Sequence, residues 1–417
     1  MPIMQRHLRI ASNKPRNIKY HNQKLILSMF RKKESLSIAE IANRINLSKT
    51  TVTKVVNEFE AKGMVLATGK GNSTDVGGKK PEIFAFNAAW SYVIVLTINP
   101  NTMAGAVMDM KCNFIGQRTA NCAPNTPYQV VIQDMADMIQ GMVKDLGLNI
   151  DTLHPIVIGC EGIIDADNGI IHYTIHHSWG QNLPLKEDLA RVLGTPATIY
   201  VDNLLRLAGY VDMLTSETVY NSQVVLTTTY SAGGSILENQ QLVHGINGFV
   251  GEFGHMIVEP HSDIRCDCGG YGCFGVLVSP NTVLAQAQKQ CARYPQSVLY
   301  PKIREGALKI TDIFEASNQD DPFACSLMDQ VIHYFAIVIH NIVLLRDPEK
   351  IFIQGFYTGA GDYFLLNLRK KVNSLPFYKM ERDLPIEYSV ISGFNPYLAG
   401  AAYYAVDLLL DINSIYD

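Results

Sequence analysis

Apolar residues recur at helical spacing in three runs within the first 87 residues, and short polar segments separate the runs. This pattern predicts one helix from Lys19, a second after Ser37 and a third over Lys49–Lys62. Two strands are predicted next, over Met64–Thr68 and Glu82–Phe86, with a polar loop between them. Two short helices that are joined by a tight turn and followed by a β-hairpin form a winged helix-turn-helix.

The start of the third predicted helix carries short polar and cationic side chains on the side away from its apolar residues. Such side chains suit a recognition helix in a major groove, because lysine reaches phosphates and guanine while threonine offers a hydroxyl and a methyl group to base edges. The loop between the two strands ends in Gly-Gly-Lys-Lys, which predicts a basic wing. The candidate DNA-binding residues are Ser48, Lys49, Thr50, Thr51, Thr53, Lys54, Lys79 and Lys80.

Charge is distributed unevenly along the chain. Residues 1–87 hold 16 Lys and Arg against 6 Asp and Glu, whereas the remaining 330 residues hold 19 against 33, for a net charge of −4. A basic block on an acidic body is typical of a nucleic-acid-binding module attached to another domain. On charge alone, the alternative is a basic face that only aids solubility. With the helical pattern included, we predict that residues 1–87 bind double-stranded DNA.

Residues 88–417 alternate strand-like and helix-like runs, which is the pattern of an α/β fold. About 330 residues exceed one ordinary hydrophobic core, so two lobes with a cleft between them are expected. Helices are predicted over Tyr128–Leu146 and Phe323–Leu345. Strands are predicted over Tyr92–Ile98, Gly105–Met110, Ile156–Gly159, Ile199–Asp202, Val224–Tyr230 and Lys350–Gln354.

Composition and sequence patterns restrict the cellular compartments in which the protein is expected. The 8 cysteines in 417 residues do not make a disulfide scaffold, so a reducing cytoplasm is expected. The N-terminal segment has no apolar core and no small-residue cleavage site, which argues against a secretory signal. The most apolar stretch, Phe335–Leu345, is about half the length of a membrane span and contains His340 and Asn341. No membrane partner is predicted.

A cluster of cysteines predicts a metal site. Cys266, Cys268 and Cys273 lie within eight residues, among glycines that allow tight loops to bring thiolates to one ion. His255 lies upstream as a fourth ligand, and His261 is the alternative on spacing alone. Three thiolates and one imidazole form a closed tetrahedral site with no open position for catalysis. The sequence therefore predicts one structural Zn²⁺ per chain.

Taken together, these motifs resemble those of the repressors of the ROK family, a family that also contains sugar kinases. The resemblance implies a two-lobed, actin-like (ribonuclease H-like) fold of the sugar-kinase ATPase type behind the winged helix-turn-helix. It also implies zinc ligands at His255, Cys266, Cys268 and Cys273. The motifs that carry it are Gly77-Gly78-Lys79-Lys80-Pro81 at the end of the wing, Gly251-Glu252-Phe253-Gly254-His255, and Cys266-Asp267-Cys268-Gly269-Gly270-Tyr271-Gly272-Cys273.

The phosphate-binding motif of the family kinases is missing. Their Asp-x-Gly-Gly-Thr falls in register on Thr97-Ile98-Asn99-Pro100-Asn101, where the acid and both glycines are absent. Pro100 also has no amide hydrogen to donate to a phosphate. A second glycine-rich motif is partly kept as Ser231-Ala232-Gly233-Gly234. We therefore predict no ATP binding, no catalytic residues and no enzyme activity.

The sequence keeps some of the residues that bind sugar in the family and lacks others. Asp202 matches the catalytic base of the family kinases, and Asn203 stands next to it. Glu252 and His255 match ligands of sugar hydroxyls, whereas a further glutamate of the family is Gly275 here. Asp202, Asn203, Glu252 and His255 are therefore the predicted binding residues for a small sugar-like effector, with extra room expected beside Gly275.

The sequence thus predicts a sequence-specific transcriptional regulator, a repressor of carbohydrate-metabolism genes, with a kinase-inactive body that senses a sugar or related metabolite. Two alternatives stay open: an active sugar kinase, and a regulator that responds to a protein partner. Binding to a two-fold operator predicts a homodimer or a dimer of dimers. The predicted domains are residues 1–87 for DNA binding, 88–206 plus 393–417 for the first lobe, and 207–392 for the second lobe with the zinc site.

Overall fold

The N-terminal module consists of three helices and a three-stranded antiparallel sheet in the order β1–β3–β2. A computed structural model describes residues 15–32, 35–71, 80–153, 155–215, 218, 220–229, 231–374, 383–389 and 396–411. The predicted winged helix-turn-helix is confirmed. Its elements are α1 (Pro15–Lys32), β1 (Leu36–Ser37), α2 (Ile38–Ile45), α3 (Lys49–Ala61), β2 (Val65–Lys70) and β3 (Glu82–Phe86).

Side-chain caps determine where α2 and α3 begin. Ser37 accepts a hydrogen bond from the Glu40 amide, and the Glu40 carboxylate accepts one from the Ser37 amide, which is a capping box. Ser48 accepts a hydrogen bond from the Thr51 amide at the start of α3. Gly63, with a φ of 72°, follows the end of α3. These local interactions determine where the helices of the helix-turn-helix begin and end. For this reason the sequence pattern alone was sufficient to predict it.

The first lobe is built on a five-stranded sheet in the order β10–β7–β4–β5–β6. The strands β4, β5 and β6 form an antiparallel meander, whereas β7 and β10 are parallel to β4. Two further strands, β8 and β9, form a separate hairpin. The elements are β4 (Tyr92–Asn99), β5 (Thr102–Asp109), β6 (Phe114–Asn121), α4 (Tyr128–Asp145), β7 (Ile156–Cys160), β8 (Ile163–Asp165), β9 (Ile170–Tyr173), α5 (Leu185–Leu193), β10 (Ile199–Asn203) and α6 (Leu204–Thr215).

The second lobe is built on a five-stranded sheet in the order β13–β12–β11–β14–β15. Helices pack on this sheet around a separate hydrophobic core. The elements are β11 (Ser222–Thr228), β12 (Ala232–Glu238), β13 (Gln241–Leu242), α7 (Phe274–Leu277), α8 (Pro280–Gln290), α9 (Leu299–Arg304), α10 (Ile310–Ser317), α11 (Pro322–Arg346), β14 (Lys350–Gly355), α12 (Gly361–Asn373) and β15 (Ile386–Tyr388). The last helix, α13 (Pro396–Asp411), returns to the first lobe and packs on β4 and β7.

The helices α6 and α13 connect the two lobes. A Cβ atom on Gly400 of α13 would lie 2.0 Å from the carbonyl oxygen of Leu207 in α6, and one on Gly209 of α6 would lie 1.9 Å from Ser235 Oγ in β12. Glycine permits these close approaches because it has no side chain. One continuous cluster of buried side chains joins both sheets, α6, α13 and the N-terminal module. The DNA-binding module therefore shares a core with the body.

One helix in the described part of the chain, α11, is long and apolar enough by length and composition to cross a membrane. Its apolar window is 61% buried inside the structure. Side chains such as Phe335 and Ile339 belong to the core of the second lobe. The helix is therefore a core element of that lobe.

Every helix and strand predicted for the body is present, with ends displaced by three residues or fewer. The α/β fold class is confirmed. Several elements were not predicted, among them β6, β12, α6 and α13. The proposed domain boundaries, 1–87, 88–206 plus 393–417, and 207–392, stay a prediction.

Candidate functional site

The start of α3 presents the candidate DNA-binding residues at the surface. Thr51 Oγ1 lies 2.8 Å from Ser48 Oγ, and Thr53 Oγ1 donates to the Lys49 carbonyl at 2.8 Å, so both hydroxyls are used inside the helix. Thr50 makes no side-chain hydrogen bond to any described residue, which leaves its hydroxyl available to an outside partner. The exposed residues are Ser48, Lys49, Thr50 and Lys54, and the half-buried ones are Thr51 and Thr53.

The wing is formed by β2 and β3. Lys80 is exposed just before β3, and Lys79 lies outside the described residues. Lys70, at the end of β2, is also exposed and pairs in register with Glu82. Lys70 was missed in the sequence analysis because the end of β2 was expected at Thr68.

The predicted zinc ligands converge on one point. The ligand atoms of His255, Cys266, Cys268 and Cys273 all lie within 4.8 Å of one another. Cys268 Sγ is 3.7 Å from Cys273 Sγ, and Cys266 Sγ is 3.7 Å from His255 Nδ1. Zn–S bonds of about 2.3 Å in a tetrahedron separate two sulfur ligands by about 3.8 Å, so the four side chains fit a zinc ion. His261 is exposed and outside this cluster.

The backbone around the cysteines is shaped by glycines in left-handed conformations. Gly269 and Gly272 have φ values of 89° and 69°. A Cβ atom on Gly272 would lie 1.9 Å from the Glu259 carbonyl oxygen, so a side chain is excluded there. The Phe274 amide, next to the last cysteine, donates to the Met256 carbonyl at 2.8 Å. Backbone contacts thus hold the histidine and cysteine segments side by side.

Asp202 ends β10 where the two lobes meet, and it is 1% exposed. Its Oδ1 accepts a hydrogen bond from the Arg206 guanidinium, one turn along α6, and its Oδ2 lies 2.8 Å from His244 Nε2. Arg206 is fully buried and also donates to the carbonyls of Gly248 at 2.9 Å and Val250 at 3.0 Å. The ion pair therefore ties together β10, α6 and the loop of residues 244–250.

These partners control the charge of Asp202. Burial by itself raises the pKa of the carboxyl group, but the charges of Arg206 and His244 outweigh burial. Hydrogen bonds from His244 and from the Asn203 amide add to this effect, and the pKa falls to about 2. A general base works best with a pKa near the operating pH. With its pKa lowered in this way, Asp202 is a weak proton acceptor near neutral pH.

The predicted effector residues and the metal ligands form one connected set. Asn203 Nδ2 donates to Glu252 Oε1 at 3.2 Å and to the Gly162 carbonyl at 2.9 Å. On its other side, Glu252 Oε2 lies 3.9 Å from His255 Nε2. His255 turns its Nδ1 toward Cys266 and its Nε2 toward Glu252. A metal bound at Nδ1 would leave Nε2 protonated and facing the cleft.

Glu161, which the sequence analysis missed, adds a second carboxyl group to this part of the cleft. Its side chain is 7% exposed, and its Oε2 has no hydrogen-bond partner, with His176 Nε2 at 3.5 Å. Burial, and then the charge of Glu252, raise the pKa of Glu161 to about 8. Burial also raises the pKa of Glu252 to about 7, although the charge of Arg206 opposes it. The available signal was a glutamate directly after a buried strand, where ligands of α/β folds bind.

The β4–β5 turn contains the segment on which the sequence analysis placed the register of the phosphate-binding motif. Asn99 Oδ1 accepts hydrogen bonds from the amides of Asn101 and Thr102 at 3.3 Å and 3.0 Å. Pro100, between them, has no amide hydrogen. The side chain of Asn99 therefore satisfies the two amide donors that follow Pro100.

Two glycine positions of the family resemblance are explained by packing. A Cβ atom on Gly234 would lie 1.8 Å from the Val225 carbonyl oxygen. A Cβ atom on Gly275 would lie 3.0 Å from Ala232 Cβ and 3.3 Å from the carbonyl oxygen of Gly254. The expectation of extra room beside Gly275 was wrong, because neighbouring backbone and Ala232 fill that space.

An ion pair connects the DNA-binding module to the body. Arg31 of α1 donates to Asp407 Oδ1 of α13 at 2.6 Å, and Tyr210 of α6 donates its hydroxyl to Asp407 Oδ2 at 2.7 Å. Burial disfavours the charged Arg31, but the charge and hydrogen bond of Asp407 raise its pKa overall. A second pair between the same two helices, Lys24 with Asp411 at 2.8 Å, is more exposed. Asp407 therefore contacts both α1 and the helix that carries Arg206.

The sequence of the body matches a known protein family. A sequence model described as the ROK family matches residues 96–407, well over half of the chain. The chain belongs to the ROK family. A model described as a winged helix-turn-helix DNA-binding domain matches residues 21–65. The predicted family and its architecture are confirmed, and the ROK body is preceded by a module of DNA-binding type.

Similar ROK proteins include both repressors and kinases. The xylose repressor of Bacillus subtilis (strain 168) is 22% identical over 95% of this chain and 97% of its own length. A glucokinase of Halalkalibacterium halodurans is 29% identical over 58% of this chain and 73% of its own length. The crystal structure of a ROK family transcriptional regulator, a homologue of the Escherichia coli MLC protein, matches with a TM-score of 0.75 and 21% identity, covering 96% of this chain and 100% of that chain.

Removal of Arg206 should destabilise the protein more than removal of the whole ion pair. Arg206→Met leaves Asp202 buried without its cation, and we expect a loss of about 3–5 kcal/mol in the free energy of unfolding. Asp202→Asn with Arg206→Met removes both charges and should cost clearly less. Chemical denaturation of the three proteins measures the difference. Equal losses in the single and the double variant would show that the pair does not organise the cleft.

Proposed function

We propose that this protein is a DNA-binding transcriptional repressor of carbohydrate-metabolism genes, and that its ROK body senses a sugar-like effector without phosphorylating it. The observation that carries the proposal is the shared core of the DNA-binding module, α6 and α13, with Asp407 contacting both α1 and α6. The xylose repressor, similar along nearly the whole chain, supports the same assignment. Such a regulator acts on the chromosome, which agrees with the cytoplasmic location expected from the cysteines.

Two features of the cleft favour a sensor over the alternative, a sugar kinase. Asn99 occupies the amides that would hold a phosphate, and Asp202 is neutralised by Arg206. Transfer of a phosphoryl group requires both positioned phosphates and an acceptor for the hydroxyl proton. Neither requirement is met by these residues, so the proposal includes no ATP as cofactor. Sugar-dependent consumption of ATP by the purified protein would support the kinase instead.

The proposed effector site comprises Asn203, Glu252 and His255, together with the buried carboxylate of Asp202. Carboxylates, amides and imidazole nitrogens all hydrogen-bond to sugar hydroxyls, and such polar groups orient a ligand in a largely preformed pocket. A cavity of about 350 Å³ opens between the β8–β9 hairpin and the 244–250 loop, next to Gly162, whose carbonyl accepts a hydrogen bond from Asn203. Its walls are Ile163, His172, Tyr173, Gln181, Asn182, Asn247 and Phe249. This volume falls within the usual range of small-molecule sites.

The proposed DNA interface is the exposed start of α3 together with the wing. A two-fold operator would be bound by a homodimer or a dimer of dimers, because each recognition helix reads one half-site. Thr50 has the free hydroxyl among the threonines of α3, and Lys49, Lys54 and Lys80 are exposed cations that reach phosphates.

Thr50→Ala should weaken binding to an operator obtained by selection from random DNA by about 1–3 kcal/mol, with little change on unrelated DNA, if Thr50 reads a base. Thr51→Ala is the matched control, because its hydroxyl is already bound to Ser48. Lys80→Ala should weaken binding to all DNA and lower the salt slope by about one. Fluorescence anisotropy measures all three variants. Wild-type affinities in both Thr50→Ala and Lys80→Ala would exclude this interface.

Zinc is the proposed structural ion of the body. Its ligands would be His255, Cys266, Cys268 and Cys273, and no position would stay open for catalysis. The ion would hold the His255 ring with its Nε2 toward Glu252, so it would stabilise the effector site as well as the loop. Zinc bound to thiolates contributes directly to folding free energy.

Cys268→Ser should lose the zinc ion and lower the thermal stability of the second lobe, because one of four ligands is weakened. Elemental analysis of protein purified without chelator should find one zinc per wild-type chain and much less in the variant. Cys325→Ser is the control, since this thiol lies outside the cluster and contacts the Ser317 carbonyl. Full-length wild-type protein that contains no zinc would refute the proposal.

Signalling between the effector site and the DNA-binding module is proposed to pass through Asp407. Arg206 and Tyr210 lie one helical turn apart on α6, so a shift of the Asp202–Arg206 pair moves Tyr210 with it. Tyr210 and Arg31 bind the two oxygens of the same carboxylate. A ligand acts on DNA binding only through a free-energy difference between two conformations. Because Asp407 contacts α1, the position of α1 contributes directly to that difference.

Asp407→Asn should reduce the release of operator DNA by sugar, because the link between α6 and α1 is weakened. The release factor of the wild type, expected in the usual range of about 5- to 150-fold, should fall toward one, while affinity for the sugar is kept. Lys24→Ala is the matched control, since it removes the other, more exposed ion pair between α1 and α13. Anisotropy with and without xylose, glucose and their amino derivatives provides the measurement. An unchanged factor in Asp407→Asn would exclude this route, and release of DNA by no sugar would favour a protein partner as the signal.

A further inference from the structure

The cavity between the β8–β9 hairpin and the 244–250 loop has space for a whole sugar ring. Its volume is about 350 Å³. Liquid water takes about 30 Å³ per molecule, so this space equals about twelve waters, and a hexose has about twelve non-hydrogen atoms. None of the described residues assigned to the effector site belongs to its lining. The cavity is therefore a separate space with room for a ligand group of its own.

The lining of this cavity is polar without acidic or strongly basic residues. Among the described residues that line it there is no aspartate, glutamate, lysine or arginine. A phosphate or carboxylate group would lose hydration there without gaining a cation, which is unfavourable. The polar side chains of the lining are instead amides, an imidazole and a phenol, which hydrogen-bond to hydroxyl groups. They are His172, Tyr173, Gln181, Asn182 and Asn247. The lining thus fits a neutral ligand that carries hydroxyl groups.

Two exposed aromatic rings line the cavity from different segments. Tyr173, at the end of β9, is 48% exposed, and Phe249, in the 244–250 loop, is 64% exposed. Exposed apolar groups rimmed by polar residues are typical of ligand grooves and interaction sites. An aromatic ring offers a large rigid surface, and the C–H face of a pyranose packs on such a surface. These rings therefore supply the apolar contact that a sugar ring needs beside its hydrogen bonds.

Hydrogen bonds hold one wall of the cavity in place. The backbone amide of Asn182 donates to the carbonyl of His172 in β9 at 3.1 Å. His172 Nδ1 lies 2.7 Å from Asn182 Oδ1, and because this oxygen only accepts, Nδ1 carries the hydrogen. Asn182 Nδ2 then stays available as a donor. Gln181 and Asn247 make no side-chain hydrogen bond to any described residue, so a preformed wall offers several polar groups to a ligand.

On the hairpin side, the cavity adjoins a predicted effector residue. Ile163 belongs to the lining, and the carbonyl of the preceding residue, Gly162, accepts a hydrogen bond from Asn203 Nδ2 at 2.9 Å. A Cβ atom on Gly162 would lie 2.2 Å from the carbonyl oxygen of Tyr173. Asn203 therefore contacts the same stretch of backbone that carries two residues of the lining.

On the loop side, Gly248 stands between two residues of the lining. Its carbonyl accepts a hydrogen bond from Arg206 at 2.9 Å, and a Cβ atom on it would lie 2.1 Å from the Ile164 carbonyl oxygen of β8. The loop and the hairpin thus touch at this glycine, and the ion pair of Arg206 with Asp202 holds the loop there. A ring in the cavity would contact both segments, so its binding would depend on their relative position.

We propose that this cavity is a subsite for one ring of a neutral disaccharide or longer glycoside, and that such a glycoside is the effector. The inference rests on the proposed sugar-sensing function and names the chemical class of its effector. The ring in the cavity packs on Tyr173 and Phe249 and hydrogen-bonds to the amide side chains of the lining. The ring linked to it lies toward Asn203. A monosaccharide fills only one of these two places.

Calorimetric titration of the full-length protein compares each monosaccharide with disaccharides that contain it. Glucose is compared with maltose and cellobiose, galactose with melibiose and lactose, and xylose with xylobiose, so that α and β linkages are both present. In at least one series a disaccharide should bind about tenfold tighter than its monosaccharide, because the second ring adds aromatic contact and hydrogen bonds. Glucose 6-phosphate should bind no tighter than glucose, since the cavity offers it no cation.

Two results with the wild type would overturn the inference and leave sugar sensing intact. One is that no disaccharide binds tighter than its monosaccharide in any series. The other is that glucose 6-phosphate binds tighter than every disaccharide. Binding of no sugar in any series would refute the sugar-sensing function itself, and the inference with it.

Phe249→Ala should reduce the gain of the disaccharide over the monosaccharide to near one and keep the affinity for the monosaccharide. Phe249 is exposed, so the variant should fold, which thermal denaturation checks. Phe356→Ala, at an exposed phenylalanine outside the lining, is the matched control and should keep the gain. A retained gain in Phe249→Ala would overturn the assignment of a ring to this cavity. So would a changed oligomeric mass in analytical ultracentrifugation, because the exposed rings would then belong to a subunit interface.

Discussion

The buried ion pair between Asp202 and Arg206 organises the centre of this molecule. A fully buried guanidinium needs nearby acceptors, and the two terminal nitrogens of Arg206 donate to Asp202 and to two carbonyls of the 244–250 loop. The same carboxylate also accepts a hydrogen bond from the Asn203 amide at 2.6 Å. The end of β10, the first turn of α6 and the loop before Glu252 are therefore fixed relative to one another, and the positions of the effector residues follow from this arrangement.

Glu252 lies at the junction of three independent constraints. The loop before it is held by Arg206, its Oε1 by Asn203, and His255 approaches its Oε2 from the metal cluster. Glu161, in the first lobe, has its Oε2 at 3.5 Å from His176 Nε2 and without a hydrogen-bond partner among the described residues. A ligand that binds here contacts both lobes at once, so its binding energy depends on their relative position. This dependence is the physical requirement for a sensor, because a ligand shifts a conformational equilibrium only through its preference for one conformation.

The sequence pattern was sufficient for features with local causes. The winged helix-turn-helix is fixed by caps at Ser37 and Ser48, and the metal cluster by cysteines close together in the chain. Features formed by residues that are distant in sequence were not predicted. Arg206 and Asp407 act through partners that no local sequence pattern reveals. α6 was missed because it starts directly after β10 without a break, and β12 because two glycines interrupt its pattern. The expectation of room beside Gly275 failed for the same reason, since Ala232 is distant in sequence.

The residues that shape the cleft lie at different places from those that connect the body to the DNA-binding module. Asn99 accepts hydrogen bonds within the β4–β5 turn and Arg206 pairs with Asp202, and both interactions leave the two sheets in place. The connection to that module runs through α6 and α13, where Gly400 lies against the Leu207 carbonyl. Helices in such close contact do not slide independently, because packed interiors resist deformation. Since α1 shares their core, a rearrangement of the lobes that moves α6 must also move the DNA-binding module.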